Sequence, residues 1–161
     1  MTDGDADRLI SHPAEEGRPE MPLSVHLDGV AERAADALRK CVGADGDDLS
    51  EAARVIGLAH DFGKASPAFQ RHVREETTDE PTHHARLGSL VAYHALSQRG
   101  FGRETRLAGA IAVAKHHGHL PDCPDYVRGA YAAAVSEARP SDQTVQAVEQ
   151  LERIDETAGE F

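Results

Sequence analysis

The chain has 161 residues and a formal net charge of −11, from 28 Asp and Glu against 17 Lys and Arg. This length fits one domain, and the acidic balance argues against a simple basic DNA-binding module. Apolar residues make up 40% of the chain, so a packed core is expected, and ten histidines stand out from the composition.

The compartment is predicted from features that are missing. Cys41 and Cys123 are isolated and lack CxxC spacing, which indicates neither a disulfide framework nor a zinc ribbon. The N-terminus has no secretory pattern, and the longest apolar run, Leu107 to Ala114, is far shorter than the roughly 20 residues of a membrane span. We expect a soluble cytoplasmic protein. The surplus of acidic residues favours a salt-rich cytoplasm, in which charge repulsion is screened.

The N-terminal third is predicted to hold a tail and two helices. Residues 1–20 are rich in Asp, Glu, Gly and Pro and predict an irregular acidic tail, followed by a domain over 21–161. Helical spacing from Leu23 to Val42 predicts a first helix. Asp48 is the expected N-cap of a second, largely apolar helix that runs into His60 and Asp61. Gly63 is expected as its left-handed C-cap.

The remaining chain is predicted to be helical as well. Ser66-Pro67 favours the start of a short helix, and another is expected from about Thr82 to Gln98, with His84 on its apolar stripe. Arg103 to His117 predicts an apolar helix that ends at Gly118. Two more helices are expected after the prolines, over Tyr126 to Glu137 and beyond Pro140. No strand pattern occurs, so the fold class is predicted to be all-α.

Histidines recur at the ends or on the apolar faces of four predicted helices, beside one carboxylate. These residues are His26, His60, Asp61, His84, His116 and His117. A histidine at a helix C-terminus can simply stabilise the helix dipole, so His60 alone is a weak signal. Unpaired polar groups in a core cost about 1–3 kcal/mol each, and a shared metal centre would explain the whole set. Imidazole with carboxylate favours Mn, Fe, Co or Ni.

Four motifs occur in order between about Leu9 and Pro121. They are Leu23-Ser24-Val25-His26 with Val30, His60-Asp61-Phe62-Gly63-Lys64 with Phe69-Gln70, His84-Ala85 with Gly88-Ser89, and Ala114-Lys115-His116-His117-Gly118. This ordered set resembles an HD-superfamily metallohydrolase, and specifically the CRISPR-associated HD nuclease, which occurs alone or as the N-terminal domain of a type I helicase-nuclease. The resemblance implies an HD-domain helical bundle with a metal site formed by several core helices.

The resemblance also implies roles for the site residues. Two divalent ions are implied, Mn, Co, Ni or Fe, with Mg as a further option. His26, His60 and Asp61 would hold the first ion, and Asp61 would bridge to a second ion. The ligands of that second ion would be Asp61, His84, His116 and His117. Because His83 adjoins His84, either could be the ligand.

Two further residues are candidates for contact with substrate. Lys64 matches the lysine of the family motif and could act in catalysis beside the phosphate, although a basic residue near a helix end is an equal alternative. His119 could contact substrate, but an exposed loop histidine is the simpler interpretation. The other histidines are not assigned to the site; they are His12, His72, His83 and His94.

The resemblance implies an endonuclease that cleaves single-stranded DNA in CRISPR type I antiviral interference. The implied partners are a CRISPR helicase subunit or domain and an RNA-guided surveillance complex, with no membrane. One alternative is an HD-type nucleotide phosphohydrolase. Another is an inactive, truncated HD module that docks to a helicase, because the family usually has a late aspartate motif. The aspartates after Pro140, Asp142 and Asp155, do not match that motif.

Overall fold

The computed structural model describes residues 8–74 and 83–118, so His119 and the helices predicted beyond Tyr126 lie outside the described residues. The described elements are, in order, β1 (Ile10–His12), β2 (Met21–Pro22), α1 (Leu23–Ala37), α2 (Leu49–Ala59), a 3-10 segment (Phe62–Ala65), α3 (Pro67–Val73), α4 (Ala85–Gln98) and α5 (Arg103–Ala114). Helices dominate, which confirms the predicted helical class. None of the described helices has the length and apolar character needed to span a membrane.

A short antiparallel ladder between β1 and β2 contradicts the expectation that the chain has no strand. Ile10 pairs with Pro22, and His12 pairs with Met21 across an irregularity. The backbone N–H and C=O of Ile10 are both bonded to the Gln70 side chain, at 3.0 and 2.9 Å. A strand this short shows no alternation in the sequence, and a distant side chain holds it in place. Part of the tail predicted to be irregular is therefore ordered.

The first helix ends earlier than its apolar spacing predicted. α1 stops at Ala37, and Lys40 then takes a positive φ of 68° that a continuing helix does not allow. Val42, predicted to lie on the helical stripe, is 69% exposed. A turn therefore replaces the last part of the predicted helix.

The helix starts that depend on capping side chains are confirmed. The Asp48 carboxylate accepts hydrogen bonds from the backbone N–H of Ser50 and Glu51, at 2.9 and 3.3 Å, and α2 begins at the next residue. Ser66 accepts one from the N–H of Phe69, so α3 also starts as predicted. A capping side chain acts within three or four residues, which makes it readable from sequence.

Two helix ends near the histidines differ from prediction. α5 ends at Ala114 and not at His117, because the chain turns over Lys115 to Gly118. α4 begins at Ala85, which leaves His84 at its N-cap and not on its apolar stripe. The histidines therefore lie just outside both helices: His84 directly precedes α4, and His116 and His117 lie in the turn after α5.

The core is formed where α2 packs against α4 and α5. Its fully buried members fall into two groups of small and branched side chains, which are Ala52, Val55 and Leu96, and Ala59, Ala92 and Val113. Gly88 allows a close approach between α4 and the end of α2, because a Cβ there would lie 2.7 Å from the carbonyl oxygens of Ala59 and His60. The start of α4 is thus held against the end of α2.

Candidate metal centre

Asp61, directly after α2 and its C-cap residue His60, has a side chain that is only 4% exposed. Its Oδ2 atom lies 3.0 Å from His26 Nε2 on α1 and 3.3 Å from His60 Nε2. The Nε2 atoms of these two imidazoles are 3.3 Å apart. The structure therefore gathers His26, His60 and Asp61 into one group of converging ligand atoms.

The other carboxylate oxygen of Asp61 faces a second set of histidines. Oδ1 lies 3.0 Å from His84 Nε2 and 3.2 Å from His116 Nε2. His117 Nε2 lies 2.7 Å from His84 Nε2. Asp61, His84, His116 and His117 form a second group whose ligand atoms all lie within 4.8 Å of one another. Asp61 belongs to both groups.

Gly63 brings His84 to this carboxylate, which corrects its predicted role. It has no positive φ and lies inside the 3-10 segment, so it is not a left-handed helix cap. A Cβ on Gly63 would lie 2.7 Å from His84 Cβ and 2.8 Å from His84 Cα. The glycine is needed for this close approach and not for its conformational freedom.

Two of the histidines have the tautomer that a ligand requires. His60 Nδ1 lies 2.6 Å from the Gly57 carbonyl oxygen, and His116 Nδ1 lies 2.6 Å from that of Val113. A carbonyl only accepts, so each Nδ1 carries the proton and donates it. In the neutral imidazole the lone pair is then on Nε2, directed at Asp61.

This tautomer directs the lone pair of His116 Nε2 at Asp61 Oδ1, so two hydrogen-bond acceptors face each other. Asp61 Oδ1 and His116 Nε2 are buried without a hydrogen-bond partner among the described residues, yet lie 3.2 Å apart. A carboxylate oxygen and an imidazole lone pair repel unless a cation or a proton lies between them. Mixed imidazole and carboxylate donors suit a divalent transition metal. The residues present therefore fit a metal ion.

The pKa directions agree with a charged carboxylate among histidines. Burial by itself raises the pKa of Asp61, but His116, His60, His84 and Lys64, whose protonated forms stabilise the carboxylate, hold it well below its ordinary value. The neighbouring Asp61 carboxylate stabilises protonated His116 and so raises its pKa. Asp61 is therefore ionised throughout the physiological pH range.

The pKa values of His26 and His117 are lowered, whereas that of His116 is raised. Burial lowers the pKa of His26, against the attraction of Asp61. Burial also lowers the pKa of His117, together with its neighbours His116 and His84. A lowered pKa keeps an imidazole neutral to lower pH, and neutral imidazole is the ligand form.

Of the residues whose roles the sequence left open, Lys64 lies at the site and His83 does not. Lys64 is buried, with Nζ 2.9 Å from Asp61 Oδ2. His84 points to Asp61, whereas His83 is exposed. His119 lies outside the described residues. The roles of these residues remain predictions.

Sequence reasoning missed two neighbours of the site on β1. His12 stacks edge-on to His26, with ring centroids 5.2 Å apart. Ser11 is 1% exposed and accepts a hydrogen bond from Lys64 Nζ at 3.2 Å. The distance along the chain, 53 residues from Ser11 to Lys64, left no local signal for this contact.

A helical domain with adjacent His and Asp at one helix end, joined by a histidine on α1 and by histidines just outside α4 and α5, has the arrangement of an HD-superfamily metallohydrolase. The family model for the HD domain of Cas3 matches residues 13–160, and the chain therefore belongs to this family. The prediction of a CRISPR-associated HD nuclease domain is confirmed at the level of the family. Membership of this family assigns the domain to a class of metal-dependent hydrolases that act on phosphodiester bonds.

One curated relative covers part of the chain. The CRISPR-associated nuclease/helicase Cas3 of Haloferax volcanii is 43% identical over 82 residues, which are 50% of this chain and 9% of that protein. The chain thus corresponds to a small part of that relative's length. No solved structure matches the chain significantly.

Proposed function

We propose that this domain is a metal-dependent endonuclease that cleaves single-stranded DNA in CRISPR type I interference. The observation that carries the proposal is the position of Asp61, whose two oxygens face two separate groups of histidines. The family match supports the nuclease class. Because the chain covers only 9% of the Haloferax relative, the substrate and the partners named here are proposed for this chain.

The proposed site holds two divalent ions, Mn, Co, Ni or Fe, with Mg as a further option. The first group is His26, His60 and Asp61, and the second is Asp61, His84, His116 and His117. Two bound ions would clamp the scissile phosphate and lower the pKa of an attacking water. Asp61 joins the two groups, and the Nδ1 bonds of His60 and His116 hold those rings in orientation.

Strand delivery is assigned to partners in this proposal. The net charge of −11, with three lysines in the whole chain, gives little general attraction for the phosphate backbone. A helicase subunit or domain and an RNA-guided complex in the cytoplasm would present the single strand. The metal ions would supply positive charge only at the point of cleavage.

A cleavage assay with chelator-treated and metal-reloaded protein tests the proposal. Labelled single-stranded DNA and a panel of nucleotides are incubated with Mn, Co or Ni, with and without the helicase. Degradation of DNA without nucleotide turnover supports the nuclease. Nucleotide turnover without DNA cleavage would favour the phosphohydrolase, and normal metal content without hydrolysis, even with the helicase, would favour an inactive module.

Asp61→Ala is the decisive variant in the same assay. It removes the carboxylate that both groups share, so cleavage should be lost while the circular dichroism spectrum stays helical. His94→Ala is the matched control, because His94 is an exposed histidine on α4 outside both groups. Cleavage retained in Asp61→Ala would contradict the two-metal assignment.

A further inference from the structure

Lys64 is buried and its ammonium is surrounded by protein acceptors, which argues against a direct contact with substrate. The residue is 4% exposed. Its ammonium nitrogen lies 2.9 Å from Asp61 Oδ2, 3.2 Å from Ser11 Oγ and 3.5 Å from the Ser11 carbonyl oxygen. An ammonium has three donors, and these three acceptors account for all of them. The same nitrogen lies over the Phe69 ring, 5.4 Å from its centroid.

Ser11 supplies two of those acceptors and is itself firmly placed. It lies on β1 and is 1% exposed. The preceding residue, Ile10, is bonded through both backbone groups to the Gln70 side chain, at 3.0 and 2.9 Å. The Gln70 amide also donates to the Lys64 carbonyl oxygen at 2.7 Å. One amide thus holds both the strand that carries Ser11 and the backbone of Lys64.

We propose that Ser11 is a positioning residue: it holds the Lys64 ammonium on Asp61 Oδ2, and Lys64 in turn fixes the orientation of the carboxylate that both histidine groups share. A carboxylate oxygen has two lone pairs, so Oδ2 can accept from Lys64 and keep one direction for a ligand. Lys64 then acts on Asp61 and does not bind the phosphate. The effect on cleavage rests on the proposed nuclease function, whereas the contact itself does not.

The contact can be measured without metal or DNA. The chain has three lysines, Lys40, Lys64 and Lys115, so protein labelled with ¹³C and ¹⁵N lysine gives three side-chain signals. Lys64→Met assigns one of them. A buried, hydrogen-bonded ammonium exchanges its protons slowly with water, so the Lys64 ammonium signal should remain visible at low temperature. Ser11→Ala should broaden it beyond detection.

Matched variants separate this effect from general loosening. Ser50→Ala deletes another hydroxyl, one that donates to the Ala35 carbonyl oxygen at 2.9 Å at the far end of α2, and should leave the Lys64 signal unchanged. If Ser11→Ala does not fold, Ser11→Cys retains the volume with a much weaker acceptor and serves for the same reading. A Lys64 signal that is absent in the wild type, or unchanged in the Ser11 variant, overturns the proposal.

A double-mutant cycle tests the consequence for the reaction. With single-stranded DNA and saturating Mn, Ser11→Ala should lower kcat by about threefold to tenfold with KM little changed, the range expected for one buried hydrogen bond. In a Lys64→Met background the same substitution should have no further effect. Losses that multiply would show that Ser11 does not act through Lys64. Absence of any wild-type cleavage would refute the proposed function but leave the Lys64 signal as the test of the contact.

Discussion

At the scale of single residues, the site depends on how each imidazole is oriented. His60 and His116 each donate from Nδ1 to a carbonyl three residues back in the chain, Gly57 and Val113. The ring is thereby turned so that Nε2 faces Asp61. Both histidines come at or just beyond a helix end, where carbonyls lack intrahelical partners. The histidine and its orienting acceptor are therefore supplied by the same local feature.

His116→Ala should weaken Mn binding to the second group of ligands. The change removes one Nε2 ligand from the second group but leaves His26, His60 and Asp61 in place. Calorimetric titration with Mn should show one of two binding events weakened by about tenfold or more, the size seen when even an outer partner of a metal ligand is lost. His94→Ala provides the exposed-histidine control. Equal Mn titrations for both variants would contradict the assignment of His116.

At the level of helices and strands, the sequence predicts a feature correctly where the contact that fixes it lies within a few residues along the chain. Asp48 and Ser66 cap helices through contacts three residues away, and both starts were predicted correctly. The ladder of β1 was missed because Gln70, sixty residues away, holds Ile10. Gly63 was misassigned because its function is a close approach to His84, which only the folded chain reveals.

The residues of the site were easier to predict than their positions relative to the helices and their neighbours in the fold. His26, His60, Asp61, His84, His116 and His117 were named from ordered motifs, and the structure brings all six together. The sequence did not reveal that His84 precedes its helix, or that Ser11 and His12 lie beside the site. Motif spacing carries residue identity, while these contacts depend on tertiary packing.

Gly88→Ala should destabilise the contact between α2 and α4. A Cβ there would lie 2.7 Å from two backbone carbonyl oxygens, of Ala59 and His60, so one helix must shift. We expect a loss of about 1–3 kcal/mol in the free energy of unfolding, typical of an overpacked site, together with weaker Mn binding. Thermal and urea unfolding measure the first effect, and titration measures the second.

Gly29→Ala is the control for that substitution, and it should have the opposite sign. Gly29 lies within α1, and a Cβ there meets only the far end of the flexible Arg33 side chain, at 3.3 Å. Alanine is favoured over glycine in a helix by about 1 kcal/mol, so this variant should be slightly stabilised. If both variants lost stability equally, the close packing at Gly88 would not be the cause.

At the scale of the whole molecule, the acidic charge bears on how the fold responds to salt and does not exclude a phosphodiester substrate. A net charge of −11 destabilises a compact fold through self-repulsion, and salt screens that repulsion. The positive charge needed at the site would come from ions held around Asp61. An acidic domain and a phosphodiester substrate are therefore compatible.

Salt should stabilise this domain. Raising KCl from dilute buffer to molar concentration should raise the Tm, because repulsion among surface carboxylates falls as the screening length shortens to about 3 Å at 1 M. Differential scanning calorimetry of the metal-free protein measures the shift without interference from bound ions. A Tm that does not respond to KCl would contradict the idea of a salt-adapted surface.

Metal should stabilise the fold as well as support cleavage. Binding to the native state alone adds about 2.7 kcal/mol when free metal is at 100 times its dissociation constant. The Tm should therefore rise with Mn and return to its starting value with EDTA. Asp61→Ala should show little rise, and a wild-type Tm indifferent to Mn would contradict the metal centre.

Anomalous diffraction from crystals grown with Mn would show whether the Asp61 carboxylate joins two metal ions. We predict two anomalous peaks on either side of the Asp61 carboxylate, one beside His26 and His60 and the other beside His84, His116 and His117. A single peak, or peaks that do not contact Asp61, would show that this carboxylate does not join two metal ions.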